Sequence, residues 1–407
     1  MFTDNRKRFT DSLKETFTLI LVLTVLSSFL ISSSCNSDGN SSLDPELVQR
    51  LEQILFENME EFGIPGALVG VWIPGEGNLI IEQGVSDIDT DEAIEKNDHV
   101  RIGSVTKSFT VTVILQLVGE GKISLDDPLS KFFPEIENSE ATVRDLANMR
   151  SGIFNYTEDI DFILLLIEDL LRKWAPQELV DVADRNAPYF PLDGGWHYSN
   201  TNTVILGMII EQVTGNFVGD EIQKRIINPL GLSGTIYPVS PDIPSPFSRG
   251  YLELPIGFTD VTLSDPSSSA GSGAMISRLQ DLRKWGEALG TGSLINKKLQ
   301  QERIDSLTSI VFKPCQDNDP EREPRSCPEY NKYGIGIGEL NGWIGHTGEG
   351  IGYTLLVMFE PQNGSVVVII MNRSGIRNSS DMGVHIPTKV FEEYADILNS
   401  SNEMLLK

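Results

Sequence analysis

Runs with strand character lie near both ends of this chain and leave its middle to helices. Residues 67–73 and 78–83 are rich in β-branched and apolar side chains, and Pro74, Gly75, Glu76 and Gly77 split them as in a hairpin. A second pair, 353–359 and 365–371, is joined across Pro361, Gln362, Asn363 and Gly364. Between the pairs, apolar residues recur at helical spacing over 104–119, 162–171 and 202–213. An opening helix runs from an Asp44 cap and Pro45 through Leu47, Leu51, Ile54, Leu55 and Phe62 to a stop at Gly63, and a closing helix covers about 387–398. A sheet whose strands come from both ends must be assembled around the inserted block. The expected fold is therefore α/β: a mainly antiparallel sheet flanked by helices from the N- and C-terminal segments, with an inserted, mostly α-helical lobe and a cleft where the two meet. The α/β lobe takes about 44–103 and 270–400, and the helical lobe about 104–269.

The chain of 407 residues, with 40% hydrophobic and 22% charged residues, can bury a sizeable core and is neither fibrous nor disordered. Acidic residues outnumber basic ones 58 to 32, giving a formal charge of −26 that opposes any polyanion and excludes nucleic acid as a partner. Residues 1–35 read as a leader: Arg6, Lys7, Arg8 and Lys14 precede an apolar stretch from 16 to 31, which ends in Ser32, Ser33, Ser34 and Cys35. At about 16 residues it is short for a membrane span. Polar residues 36–43 then form a tether of the kind that follows a lipid-modified cysteine. The expectation is export, to the periplasm or cell surface, with Cys35 either lipidated and holding the protein at the membrane or lost with a cleaved leader. Cys315 and Cys327 flank an acidic, proline-rich stretch and, in an oxidising compartment, either close a disulfide or remain two unrelated thiols. The four histidines, His99, His197, His346 and His385, show no metal-ligand spacing, and no cofactor motif is present.

Three short motifs carry chemistry. Ser104 and Lys107 stand three apart at the head of an apolar helix, so the amine can reach the hydroxyl while the helix start offers free N–H groups to an oxyanion. Tyr198 and Asn200 stand two apart before the next long helix, where a phenol and an amide can project together into a cleft. His346, Thr347, Gly348 and Glu349 lie between Gly345 and Gly352, where glycines permit a strand edge to approach an extended substrate. Singly these are a helix start, a cap and a glycine turn. In this order they converge on the expected cleft.

The three motifs together resemble those of the penicillin-recognising serine hydrolases, the class C β-lactamase and D-alanyl-D-alanine carboxypeptidase family with its esterase and peptidase relatives. The resemblance spans about residues 65–394 and includes the stretches 109–133, 145–152 and 271–285. It implies a β-lactamase/transpeptidase-like fold and an acyl-enzyme on Ser104, with Lys107 helping to deprotonate the serine and Tyr198 sharing that task before protonating the leaving group. It further implies that Asn200 orients the acyl side chain, and that the backbone N–H groups of Ser104 and Glu349 form the oxyanion hole. The third motif opens with His346 where class C lactamases carry Lys, as in the carboxypeptidase branch, so His346 would offer a conditional charge to a substrate carboxylate. Glu349 places an acid where such a carboxylate would sit.

The functional expectation is an exported serine hydrolase, D-alanyl-D-alanine carboxypeptidase-like, acting on a small peptide. β-Lactamase or esterase activity of the same family is the alternative, with a β-lactam or an ester as substrate. A catalytically silent protein that binds wall peptides or a partner is the alternative from another class. Absence of a Gly-x-Ser-x-Gly elbow and of a His-Glu-x-x-His motif argues against an α/β-hydrolase and a zinc peptidase.

Overall fold

The first described element is a capped helix. In the computed structural model, which describes residues 43–254, 257–310, 330–375 and 384–405, Asp44 accepts hydrogen bonds from the backbone N–H groups of Glu46 and Leu47 at the head of α1 (Pro45–Phe62). Gly63 ends it at φ +65°, a left-handed turn suited to glycine. The leader, the tether up to residue 42, and all three cysteines (Cys35, Cys315 and Cys327) lie outside the described residues. No helix among the described residues is long and apolar enough to cross a membrane.

Nine strands make the main sheet: β1 (Gly66–Ile73), β2 (Gly77–Asp87), β3 (Glu92–Ala93), β4 (Thr308–Ser309), β5 (Lys332–Tyr333), β6 (Gly338–Leu340), β7 (Trp343–Gly350), β8 (Tyr353–Phe359) and β9 (Val366–Met371). Their order is β3-β2-β1-β9-β8-β7-β6-β5-β4, antiparallel throughout. The strand from the start of the chain and the strand near its end are direct neighbours, Ala67 opposite Met371 and Trp72 opposite Val366. This is the closure that the placement of the strand runs requires. Strand β7 was legible in the sequence only as a glycine-rich edge, because four glycines in ten residues mask its alternation.

The central strands are uninterrupted apolar runs because helices cover both faces of the sheet. On β9, Val366, Val368 and Ile370 join one core cluster, and Val367, Ile369 and Met371 join another. The second cluster is closed by α1 and the last helix, α7 (Ile386–Leu405), through Leu51, Leu55, Phe391 and Tyr394. The first continues into α2 (Val105–Gly119), α5 (Asn200–Thr214) and α6 (Leu279–Thr291). Each fully buried branched side chain contributes roughly 1.5–3 kcal/mol. The middle of the chain also carries α3 (Ile160–Glu168) and α4 (Pro176–Asp184). The block expected to be helical also contains a hairpin, Tyr251–Leu254 with Gly257–Asp260, which pairs with Arg373–Gly375.

Helix α2 is buried on every side from Val105 to Leu115, the signature of a helix at the centre of a core. Three of its hydroxyls are matched: Ser108 accepts from the Trp285 indole at 2.9 Å, Thr110 donates to the Gly271 carbonyl at 2.8 Å, and Thr112 accepts from Arg303 at 2.8 Å. Phe109 stacks on Trp285 with ring centroids 3.8 Å apart. A helix fixed in this way holds whatever projects from its first turn.

Candidate active site

Ser104 is the residue before α2 and has helical backbone angles, φ −63° and ψ −11°. It caps no N–H with its side chain, so its hydroxyl is free for other partners. Gly103 before it has φ +46°, and a side chain there would place its Cβ 2.4 Å from the Glu349 carbonyl oxygen. A Cβ on Gly348 would likewise lie 2.5 Å from the Ile102 carbonyl oxygen. Two glycines thus let the backbone of β7 press against the residues that lead into Ser104. The first and third sequence motifs meet through main chain.

Lys107 is fully buried, and its amine makes three contacts: Ser104 Oγ at 2.8 Å, Asn200 Oδ1 at 2.6 Å and the Ser272 carbonyl oxygen at 2.8 Å. No carboxylate pairs with it among the described residues, so burial alone drives its pKa well below the usual lysine value. The geometry determines what the neutral amine does. Two of its three partners are carbonyl oxygens, which only accept, so they hold the two N–H bonds and the remaining lone pair faces the serine hydroxyl. This geometry allows Lys107, when its amine is uncharged, to accept a proton from Ser104.

The amide of Asn200 is fixed from behind. Its Nδ2 donates to Asn155 Oδ1 at 3.2 Å and to Thr157 Oγ1 at 2.9 Å, and its backbone N–H donates to Asn155 Oδ1 at 3.0 Å. This leaves Oδ1 for Lys107. Asn200 was expected to orient an acyl side chain; in the structure both ends of its amide are engaged, and its contact in the site is the lysine. The triplet Asn155–Tyr156–Thr157 also has the form of a glycosylation acceptor, but Asn155 is buried and bonded in this network.

Tyr198 lies across Lys107, whose amine sits 5.0 Å from the ring centroid. Burial pushes the phenol well above its usual pKa, and interaction with the Ser104 hydroxyl partly offsets this. The hydroxyl faces Ser104 without completing a well-aligned hydrogen bond to any described group. Burial thus disfavours the charged form of both groups, lowering the amine's pKa and raising the phenol's.

His346 does not face the site as a conditional cation. It is completely buried, with Nδ1 at 2.6 Å from the Thr347 carbonyl and Nε2 at 3.0 Å from the Tyr333 hydroxyl. The carbonyl can only accept, which puts the ring proton on Nδ1 and leaves Nε2 to accept from Tyr333. Burial depresses its pKa to about 3. The ring is expected to stay neutral down to pH 5; ring ¹⁵N shifts check this, and a one-proton titration centred near 6.5 would contradict it. Tyr330 completes the clamp, accepting the Thr347 N–H at 2.7 Å and lying 2.8 Å from Thr347 Oγ1. Residues Tyr330, Tyr333, Asn155, Thr157 and Ser272 escaped sequence reasoning. The tyrosines sit beside the acidic stretch without periodicity, and Ser272 acts through its carbonyl, which has no side-chain signature.

Strand β6 pairs with β7 only over Trp343–Gly345, so His346 to Gly350 present an edge without a strand partner among the described residues. Because the Thr347 N–H points out along that edge to Tyr330, the same alternation sends the Glu349 N–H outward too, toward Gly103 and Ser104. The Glu349 side chain is open to solvent, yet the walls around it are close enough that desolvation raises its carboxyl pKa.

A half-buried serine beside a buried lysine amine and a buried phenol, on this sheet-and-helix frame, is the arrangement that serine hydrolase chemistry requires. The chain belongs to the beta-lactamase family: the family's sequence model, Beta-lactamase, matches residues 51–383. Among solved structures, a D-stereospecific amidohydrolase from Streptomyces sp. is 31% identical, with TM-score 0.68, over 85% of this chain and 96% of that one. D-Amino acid amidase from Ochrobactrum anthropi SV3, complexed with L-phenylalanine amide, is 25% identical, with TM-score 0.75, over 88% and 99% of the two chains. The D-aminopeptidase of Brucella anthropi is 31% identical over 169 residues, 41% of this chain. The match spans about a third of that protein's length, 32%.

Proposed function

We propose that this protein is an acyl-serine amidohydrolase acting on D-amino-acid amides or short peptides with a D-residue on the acyl side. The observation that supports this most is the Lys107 amine, held by two carbonyls with its third direction on Ser104 Oγ. Lys107 takes the Ser104 proton as Oγ bonds to the substrate carbonyl carbon. The resulting oxyanion rests between the backbone N–H groups of Ser104 and Glu349. The proton passes from Lys107 through the Tyr198 hydroxyl to the leaving nitrogen, and the C–N bond breaks. Water, deprotonated by the same lysine, then splits the acyl-serine ester to the acid and restores the hydroxyl. The amide and D-residue preference is supported by relatives whose names carry those activities. A carboxypeptidase of D-alanyl-D-alanine is served less well, because the buried neutral His346 supplies no charge for a terminal carboxylate. The leader-like segment 1–35 and its tether support export, with Cys35 available as a membrane anchor.

The test is covalent labelling with a fluorophosphonate and with penicillin, followed by peptide mapping, alongside rates on D- and L-phenylalanine amide and a p-nitrophenyl ester. The expected result is an adduct on the Ser104 peptide and a D-amide rate about tenfold or more above the L-amide. Faster turnover of penicillin or of the ester would move the assignment to a β-lactamase or an esterase. Absence of any adduct would favour a silent binding protein.

A further inference from the structure

We infer that the Glu349 side chain is a charge filter over the nucleophile, rejecting substrates with a free carboxylate beside the scissile amide and admitting neutral or cationic ones. This rests on the amidohydrolase reading of the same site. Three observations carry it. First, Glu349 cannot withdraw: its carbonyl oxygen lies where a Cβ on Gly103 would approach to 2.4 Å, one residue from Ser104, so the side chain starts from a fixed point next to the nucleophile. Second, the side chain is open to solvent at the free edge of β7, where a substrate must lie, and its charge is felt by the buried Tyr198 hydroxyl. Third, no Lys, Arg or His pairs with it among the described residues, unlike Asp87, which has Arg249, and Glu339, which has Lys332. His346 and His385 behind it are held neutral by burial, and the only amine within the site, Lys107, must be neutral to act.

A carboxylate without a cationic partner, on the residue whose main chain abuts Gly103 next to the nucleophile, repels an anionic leaving group and attracts an ammonium. At the effective dielectric of a partly buried cleft, like charges a few ångströms apart weaken binding tenfold or more. The substrate class is therefore an amide whose neighbouring group is uncharged or carries a free amine.

Matched substrates test this: N-acetyl-D-Ala-D-Ala as the free acid and as its C-terminal amide, compared as a ratio of kcat/KM within each protein. In the native protein the amide is expected to exceed the acid by about tenfold or more. The ratio should fall toward one in Glu349→Gln, invert in Glu349→Lys, and shrink in the native protein as salt is raised. A ratio that is the same in all three proteins overturns the inference. Should a variant turn over neither substrate, the same ratio is read from binding of acid and amide in a Ser104→Ala background. Failure of the amidohydrolase reading looks different, because the native protein then hydrolyses neither compound and takes no fluorophosphonate on Ser104.

Discussion

Replacing Lys107 with methionine is expected to lower kcat/KM by roughly 10³-fold, within the range for loss of a positioned general base. The stem is nearly conserved in volume, so the helix should still form. What is lost is the lone pair 2.8 Å from Ser104 Oγ. The pH profile separates this account from a packing defect. In the native protein the active amine is the unprotonated one, so activity rises with pH through the lysine's titration, and burial sets that midpoint below the ordinary 10.5. The variant's residual activity should lack this limb. Stability follows the same sign: between the depressed native pKa and 10.5 the unfolded chain binds the extra proton, so the native protein gains stability as pH rises across that window. In Lys107→Met that part of the slope is absent. An unaltered pH–rate profile in the variant would remove Lys107 from the chemistry.

A second large effect is expected from one methyl group. Gly103→Ala forces a side chain onto a residue with φ +46° and drives its Cβ to 2.4 Å from the Glu349 carbonyl oxygen. Backbone strain of this kind costs about 1–3 kcal/mol, and the clash adds to it because the partner atom is main chain and cannot rotate away. The helix start and β7 must separate. Since Ser104 and Glu349 supply the two N–H groups assigned to the oxyanion, their separation should reduce kcat by roughly 10²-fold even in the folded fraction. Urea unfolding and initial rates on the same preparation measure the two effects. Native stability together with a native rate would show that the two segments are not pressed together.

Much of the fold was legible because the strands and helices in question obey local rules. Tyr353–Phe359 emerges with the bounds that its apolar run implies, and the Asp44 cap and Gly63 stop of α1 are where their chemistry places them. Ser104 and Lys107 were legible as a pair because spacing along a helix is a local property. What the sequence hides is what depends on distant main chain. Ser272 reaches Lys107 through a carbonyl from a turn far along the chain. His346 looks like a titratable group until Tyr330 and Tyr333 are found sealing it, and burial removes the charge its residue type suggests. Asn155 has only a triplet pattern in the sequence, and its place beside Asn200 is visible only in its bonds.

The adjacency of β1 and β9 also bears on biosynthesis. As the polypeptide leaves the ribosome, Ala67 to Trp72 has β2 on one flank, while the complement of its other flank, Val366 to Met371, is translated only after the whole intervening stretch. Throughout elongation that flank is an apolar, unpaired ladder, the kind of surface that seeds association between nascent chains. Cutting the message short before Val366 should therefore yield insoluble product, not a smaller active enzyme, and holdase chaperones have a defined stretch to shield.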